Sequence, residues 1–465
     1  MLFNSLEFPV FLALVAAVHF ALSRDAVTGR KVVLLVASYA FYASWNPLFV
    51  FLLAFSTAVD FVVGRSLARA TSRRARRGLL LTSLTANLGL LGFFKYGAFF
   101  SESVMAALGR TLPATSPWLD VVLPVGISFY TLQSLSYTLD VYRGTQTPTK
   151  SALDFALYVS FFPQLVAGPI VRAGELLPQL AGRRSTSALD VQEGLGRIGV
   201  GLVKKVVLAD TLALYADRVF VAPGLFTGPE VLLGVWAFTY QIYFDFSGYS
   251  DIAIGLARLF GVRLPENFDH PYRAASVREF WRRWHISLST WLRDYLYVSL
   301  GGNRGGRGRT AWNLFLTMLI GGLWHGAAYG FLLWGAYHGL LLAAHRTWQW
   351  RFPDAAPRTP RWLRQLATFQ LVSAGWIVFR AESVPVAAEL VSRLGVGGFA
   401  WNLQLAQVLA VVAASAAAHL WVDAGELGRR FLRWPEWAQG LAYAALLLVV
   451  YLASGNTGEF IYFQF

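Results

Sequence analysis

The chain lacks cysteine altogether, since none occurs among its 465 residues. A disulfide framework, a thiolate nucleophile, a thiolate-bound metal and S-palmitoylation are therefore excluded. Charged side chains are also scarce, at 14% of the residues, whereas soluble globular proteins carry about 25%. This shortage of charge argues against an ordinary water-soluble domain.

Apolar residues take the place of the missing charge. They make up 56% of the chain and raise its mean hydropathy to +0.48. Because one water-soluble core cannot bury so much apolar surface, lipid must be the solvent for much of it. Alternating strand patterns are absent, so we predict an all-α fold, a polytopic transmembrane helical bundle of about 10–12 spans. No repeat or soluble segment stands out, and we predict a single integral membrane domain over residues 1–465.

The excess of positive charge follows a membrane pattern. The formal net charge is +14, and the basic residues lie mostly in short breaks between apolar runs, as the positive-inside rule describes for cytoplasmic loops. Lipid headgroups are thus favoured over nucleic acid as their partners. Counting crossings places the basic loops at 24–31 and 65–77 on the cytoplasmic side. The first apolar run, 5–22, lacks the marks of a signal peptide and is predicted to be a retained span.

Two segments depart from a simple crossing. The apolar run 155–170 is short, contains Pro163 and the Gly168-Pro169 pair, and is flanked by basic residues on one side, so we predict a re-entrant hairpin that borders a site. Residues 261–310 carry nine arginines interleaved with tryptophan and tyrosine. That composition indicates an aromatic and basic belt of interfacial helices.

His325 is the most informative single residue. It lies in an apolar run, fifteen residues beyond Thr310, which corresponds to roughly 22 Å into a hydrocarbon core of about 30 Å. A polar group at that depth is expensive and indicates function. A structural histidine, bonded to a carbonyl of a neighbouring helix, is an equally good explanation from depth alone.

Other polar residues are weaker candidates. His285 lies in the arginine-rich belt, where an interfacial anchor and a functional residue are equally supported. His338 follows His325 by thirteen residues, but the chain lacks the His-Glu-x-x-His spacing and no carboxylate lies near, so no metal site is predicted. Asp245 and Asp251 flank Gly248, where we expect the helix to break and the carboxylates to cap its ends.

These observations leave the reaction open. A membrane-embedded histidine, a basic belt and a re-entrant segment suit the transfer of a group between the two sides of a membrane. They also suit transport of a small ion or solute, with buried histidines as proton relays.

The order of several short motifs resembles the membrane-bound O-acyltransferase (MBOAT) family, in its branch of alginate O-acetyltransferase-like proteins. The resemblance covers nearly the whole chain, and the combination of motifs is specific although each one is weak. The motifs are Met1-Leu2-Phe3-Asn4-Ser5, Phe94-Lys95-Tyr96, the stretch 123–130, Phe162-Pro163-Gln164 with Gly168-Pro169-Ile170, the stretches 245–251 and 280–287, Trp324-His325-Gly326, and the stretch 460–465.

The resemblance implies an MBOAT-like fold and an O-acyltransferase of the bacterial cytoplasmic membrane. In the family the histidine of the Trp-His-Gly motif is catalytic, which implies His325 here, with His285 as the second catalytic candidate. Substrate-binding roles are expected for Trp324 and for three charged residues, Arg282, Arg283 and Asp245.

The resemblance also implies the substrates. The donor is expected to be a cytoplasmic acyl thioester, acetyl-CoA, with no other cofactor bound. The acceptor is expected to be an alginate-like or other exported polysaccharide, reached directly or through a periplasmic acetyltransferase partner. Two alternatives remain: transfer of D-alanyl or another acyl group from an acyl carrier protein, and, in a different class, a proton-coupled transporter.

Overall fold

A computed structural model describes residues 1–465 except 6, 114, 183–185, 353–358, 399–402, 423–427, 429, 454–459 and 462–465. The described residues are helical or irregular, with no strand among them. The fold is therefore all-α over this part of the chain, as the composition predicted. The last four residues of the closing sequence motif, 462–465, lie outside the described residues.

The chain forms two compact units. The first comprises residues 1–195 and 252–265, and the second comprises 196–251 and 266–465. The prediction of one integral membrane domain stays a prediction. The helices up to residue 202 are α1 (Glu7–Ala21), α2 (Val27–Ala43), α3 (Pro47–Arg69), α4 (Arg73–Leu91), α5 (Gly97–Ala107), α6 (Ile127–Arg143), α7 (Ala152–Ser160), α8 (Phe162–Leu165), α9 (Ala173–Ala181) and α10 (Ala188–Leu202).

The remaining helices contain or flank the two candidate catalytic histidines, His285 and His325. They are α11 (Asp210–Val221), α12 (Gly228–Leu259), α13 (Val277–Arg283), α14 (Ile286–Trp291), α15 (Gly306–His325), α16 (Tyr329–Arg351), α17 (Arg361–Arg380), α18 (Val384–Arg393), α19 (Leu403–Trp421) and α20 (Glu436–Ala453). Within the described ranges, three π-helical turns join or extend these elements, at Gly92–Tyr96, Val203–Ala209 and Leu292–Tyr297.

Helix length and composition support membrane crossing for part of the chain. Two helical segments among the described residues are long and apolar enough to cross a bilayer, Pro47–Arg69 and Arg73–Ala107. Three shorter apolar helices occur at Glu7–Ala21, Leu405–Trp421 and Glu436–Leu452.

The segment expected to be re-entrant consists of short buried helices. α7 has nine residues and α8 has four, against the roughly 20 that a helix needs to cross the hydrocarbon core. Phe155, Leu157, Phe161 and Phe162 in this segment are all fully buried. The irregular backbone between 160 and 173 is thus surrounded by protein, as non-helical backbone at membrane depth must be.

Two local expectations are wrong. α12 runs without interruption from Gly228 to Leu259, so Gly248 does not break it and Asp245 and Asp251 are not caps. A Cβ at Gly248 would lie 2.8 Å from the carbonyl oxygen of Gly201, so this glycine permits close packing of two backbones.

Trp284, which the sequence places in an interfacial belt, is 1% exposed, because its ring packs between Phe268 and Trp376 in the core.

Glycines join α15 and α16 into a tight hairpin. A Cβ at Gly322 would lie 2.2 Å from the carbonyl oxygen of Phe331, and one at Gly335 would lie 2.5 Å from that of Met318. One at Gly339 would lie 2.9 Å from the carbonyl oxygen of Phe315. Small residues spaced by four allow such close approach in membrane helices. The hairpin fixes the end of α15, where His325 lies.

Candidate active site

His325 is the last residue of α15. Its side chain is 5% exposed, and its ring lies 5.0 Å from the Trp324 and Trp334 rings and 5.4 Å from the Phe379 ring, as measured between centroids. The carbonyl end of a 20-residue helix carries the negative pole of the helix dipole, which stabilises a nearby positive charge. An imidazole placed there is well suited to accept a proton.

His285 lies between α13 and α14 with a backbone φ of 42°. This left-handed conformation is uncommon for a residue other than glycine and concentrates at functional sites. The imidazole is 1% exposed. Burial lowers the pKa of His285 to about 3, because desolvation disfavours the imidazolium ion.

One hydrogen bond fixes the tautomer of His285. The Oδ1 atom of Asn267 accepts from the backbone N–H of Ser287 at 3.2 Å and from its hydroxyl at 2.9 Å, and the backbone donor requires an oxygen at this position. The Nδ1 atom of His285 lies 3.2 Å from the same oxygen. Because an amide oxygen only accepts, Nδ1 donates and the lone pair is at Nε2.

Trp324 brings the two histidines into one site. Its ring centroid lies 6.2 Å from that of His285 and 5.0 Å from that of His325. The two residues are forty positions apart along the chain, and each belongs to a different helix end. Trp324 is 7% exposed, so its ring contacts both imidazoles inside the protein core.

Asp245 lies in a different environment from the one expected of a substrate ligand. Its carboxylate pairs with the Lys205 ammonium at 2.6 Å and accepts from the backbone N–H of Ile461 at 2.8 Å. Phe460 stacks on Tyr249 at 4.6 Å. Asp245 thus attaches the segment 460–461 to α12, and the neighbouring Phe246 packs on His285 at 4.6 Å.

Asp251 completes a buried network of charges on α12. It accepts from Arg197 and Lys204, each at 2.6 Å, while Lys205 also bonds Asp210 at 2.9 Å. The cations come from the end of α10 and the π-helical turn that follows it. These pairs neutralise the carboxylates of Asp245 and Asp251, which is the condition for burying them.

A cavity of about 470 Å³ opens beside α13 and α16. Its wall includes the guanidinium groups of Arg278, Arg282 and Arg346, none of which forms an ion pair within the described ranges. Burial, with the nearby charges of Arg282 and Arg346, lowers the pKa of Arg278. The uncompensated cations suit a ligand with several negative charges.

The two adjacent arginines have separate surroundings. Arg283 bonds Asp269 at 3.0 Å and Glu279 at 3.1 Å, so its charge is neutralised and it braces α13. Arg282 lines the cavity. The structure therefore places Arg282, but not Arg283, as a cation available to an anion there.

Aromatic rings separate the cavity from His325. Trp281 lines the cavity and contacts Trp334 at 5.6 Å and His338 at 5.2 Å. Trp334 in turn lies 5.0 Å from His325. His338 is fully buried, and neither of its ring nitrogens has a hydrogen-bond partner among the described residues.

Sequence reasoning missed Asn267 and the aromatic group that contains Trp281, Trp334 and His338. Asn267 is eighteen positions from His285, and no spacing rule links a loop amide to a distant imidazole. His338 drew attention as a metal ligand, whereas its neighbours are aromatic rings.

The family model of membrane-bound O-acyltransferases matches residues 149–380, a range that contains both histidines and the cavity. The probable alginate O-acetylase AlgI of Pseudomonas aeruginosa is 46% identical over 388 residues, covering 83% of this chain and 72% of the relative. The chain belongs to the membrane-bound O-acyltransferase family. It is therefore a membrane protein and an acyltransferase, as the motifs implied.

Two further relatives show the breadth of this membrane-bound O-acyltransferase group. The peptidoglycan O-acetyltransferase of Helicobacter pylori is 36% identical over 390 residues, covering 78% of this chain and 73% of the relative. The teichoic acid D-alanyltransferase of Bacillus subtilis is 27% identical over 316 residues, covering 63% of this chain and 78% of the relative.

Proposed function

We propose that this membrane-bound O-acyltransferase moves an acetyl group from a cytoplasmic thioester, acetyl-CoA, to a hydroxyl of an extracytoplasmic polysaccharide. The convergence of His285 and His325 on Trp324 carries the proposal, because it supplies two buried imidazoles at one point of an acyltransferase. The names of the relatives, an alginate O-acetylase and a peptidoglycan O-acetyltransferase, support an acetyl group and a polysaccharide acceptor.

In the proposed reaction His325 is the general base. It accepts the proton of the acceptor hydroxyl while the hydroxyl oxygen attacks the thioester carbonyl carbon. A C–O bond forms, the C–S bond breaks, and the leaving thiolate takes up the proton to give the free thiol. The negative end of α15 stabilises the imidazolium of His325, which exists after the hydroxyl has lost its proton and before the thiolate has taken it up. His285, with its lone pair at Nε2, supports the same proton transfer.

The arginine-lined cavity is the proposed donor site. Arg278, Arg282 and Arg346 would hold the phosphates of acetyl-CoA, since guanidinium groups bind phosphate through paired hydrogen bonds. The thioester end would then approach His325 past Trp281 and Trp334. No further cofactor is needed for this transfer.

We further propose that the chain crosses the bacterial cytoplasmic membrane about 10–12 times. Outward apolar stripes on several helices support this. On α1, Val10, Leu14 and Val18 are 61%, 63% and 52% exposed, and they recur at helical spacing along one face. An apolar stripe of this kind needs lipid or a partner to cover it.

The acceptor would lie on the external side of the membrane. Relatives named for alginate, peptidoglycan and teichoic acid support an exported polymer as the acceptor. The acetyl group would reach it directly or through a periplasmic acetyltransferase.

Labelled acetyl-CoA supplied to membranes tests the proposal. We expect transfer of label to polysaccharide by the wild type, and a fall of at least about 100-fold in His325→Ala, which is the lower range for losing a general base. The amount of membrane-inserted protein is measured in both. Full acetylation by an inserted His325→Ala protein would contradict the role of His325.

The D-alanyl relative supports one competing donor, an acylated carrier protein. Purified protein that binds such a carrier and ignores acetyl-CoA would replace the proposed donor while leaving acyl transfer intact. The proton-coupled transporter is set aside, because the chain belongs to a family of acyltransferases.

A further inference from the structure

The first unit contains a small basic pocket far along the chain from the active-site residues. It has a volume of about 60 Å³ and lies where α1, α2 and α9 end or begin. Three cationic side chains line it, Arg24, Arg30 and Lys31. Among the described residues no carboxylate lines the pocket. Lys31 pairs with Asp154 at 2.7 Å. That ion pair does not neutralise the charges of Arg24 and Arg30.

Two buried polar atoms in this pocket lack hydrogen-bond partners among the described residues. His19 is 5% exposed, and its Nδ1 atom has no hydrogen-bond partner among the described residues. The Nε atom of Arg30 is also buried and without a partner there, although its Nη2 atom donates to the carbonyl of Leu22 at 2.7 Å. A buried polar group without a partner is costly and calls for a ligand or a functional explanation.

The volume of the pocket selects small oxyanions. A cavity needs about 10–15 Å³ to hold one water molecule. The pocket, at about 60 Å³, therefore holds a group of roughly four or five heavy atoms. A phosphate has that size, and arginine is the preferred residue for binding it.

The walls of the pocket suit an amphiphile. Leu34, Leu157 and Leu180 line one part of it. Phe20, which is 44% exposed, stacks on the lining residue Phe260 with an interplanar angle of 7°. Exposed aromatic rings beside basic residues are typical of the membrane–water interface, where basic pockets between helices bind anionic headgroups.

We propose that this pocket binds a phosphate group, either that of an anionic phospholipid headgroup or free inorganic phosphate. Arg24 and Arg30 supply the charge, and the buried Nε atom of Arg30 donates to the phosphate oxygen. The proposal does not depend on acetyl transfer, because none of these residues lies in the second unit.

Thermal unfolding of the full-length protein in detergent micelles tests the proposal. Three additions are compared at constant ionic strength: dioleoyl phosphatidylglycerol, dioleoylglycerol and inorganic phosphate. We expect phosphatidylglycerol to raise Tm and dioleoylglycerol, which lacks the phosphate, to leave it unchanged. A rise with phosphatidylglycerol alone identifies a lipid headgroup as the ligand, and a rise with inorganic phosphate as well identifies a site for phosphate itself.

Arg24→Gln is the diagnostic variant, and Arg74→Gln is its matched control. Both arginines are exposed, so neither change should prevent folding. We expect the apparent affinity for phosphatidylglycerol to fall roughly fivefold in Arg24→Gln, since one cation near a lipid surface contributes about 1 kcal/mol, and to be unchanged in Arg74→Gln. Equal stabilisation by dioleoylglycerol, no stabilisation by either phosphate compound, or equal losses in the two variants would each overturn the proposal.

Discussion

At the scale of single residues, the proposed chemistry depends on which nitrogen of His285 carries the proton. Asn267 decides this, because its Oδ1 already accepts from Ser287 and therefore requires a donor at Nδ1 of His285. The same bond holds the ring against Phe246. Asn267 is thus a positioning residue for the imidazole.

Asn267→Ala should lower kcat by about 10–100-fold, the range found when the partner that orients a metal-binding histidine is removed, because the same kind of hydrogen bond orients His285. KM for acetyl-CoA should change little, because Asn267 does not line the arginine cavity. Asn267→Asp keeps an acceptor and should restore part of kcat. Adding Asn267→Ala to His285→Ala should cost nothing further, since both act through one imidazole. Additive losses in that double variant would contradict the assignment.

Arg282 and Arg283 offer a matched pair of neighbouring cations. Arg282→Gln should raise KM for acetyl-CoA roughly tenfold, because one charge-assisted contact is lost. The dependence of that KM on salt concentration should also decrease. Arg283→Gln should leave KM near the wild-type value and lower Tm, because Asp269 and Glu279 lose their partner. Steady-state kinetics at two salt concentrations and a thermal melt distinguish the two outcomes. Equal changes in KM for acetyl-CoA in both variants would show that the arginine-lined cavity is not the donor site.

Sequence reasoning found the catalytic candidates but could not find the residues around them. His325 is visible because an imidazole is rare in an apolar run. Asn267 is not visible, because a polar residue in a loop is ordinary and its partner lies eighteen positions away. The distinct surroundings of Arg282 and Arg283 depend on which side of α13 each faces, and this becomes clear only once the acids Asp269 and Glu279 are placed.

At the scale of helices, the glycines of the α15–α16 hairpin set the position of His325. Gly322 and Gly326 are four residues apart, as are Gly335 and Gly339. A Cβ on Gly326 would lie 2.1 Å from the ring of Phe331. The two helices therefore pack at a distance that no larger residue permits at these positions.

Gly322→Ala should destabilise the hairpin by about 1–3 kcal/mol, the usual cost of overpacking, and should lower kcat by displacing His325. The control is Gly308→Ala in the same helix, where a Cβ would have nothing within 4 Å. That change should leave activity intact and add up to about 1 kcal/mol of stability by reducing backbone freedom. Tm and initial rates of purified variants measure both effects. A fully active and stable Gly322→Ala protein would show that the close packing is not required.

Helix boundaries show where sequence patterns are ambiguous. Gly248 was expected to end a helix, yet α12 continues through it. A glycine that breaks a helix and a glycine that admits a neighbouring backbone look alike in a sequence, and only the nearby Gly201 carbonyl distinguishes them. The same ambiguity affects Trp284, because tryptophan beside arginine is common both at membrane interfaces and in protein cores.

At the scale of the whole molecule, composition alone predicted a helical membrane protein, and family membership confirms it. Composition could not predict that His285 and His325 both contact Trp324, because residues forty positions apart come close only through the tertiary fold. Neither composition nor family membership gives the number of membrane crossings. Among the described residues, two segments have the length and hydropathy of clear spans, so the sidedness of the loops between helices is the quantity to measure.

The absence of cysteine makes that measurement direct, because any introduced thiol is the only one in the chain. The predicted orientation places Arg74 at the cytoplasmic end of the segment Arg73–Ala107 and Arg110 beyond its outer end. Both side chains are exposed, so Arg74→Cys and Arg110→Cys should fold normally. A membrane-impermeant maleimide should label Arg110→Cys in intact spheroplasts and label Arg74→Cys only after permeabilisation. Labelling of both from outside would refute the orientation, and with it the cytoplasmic position of the donor site.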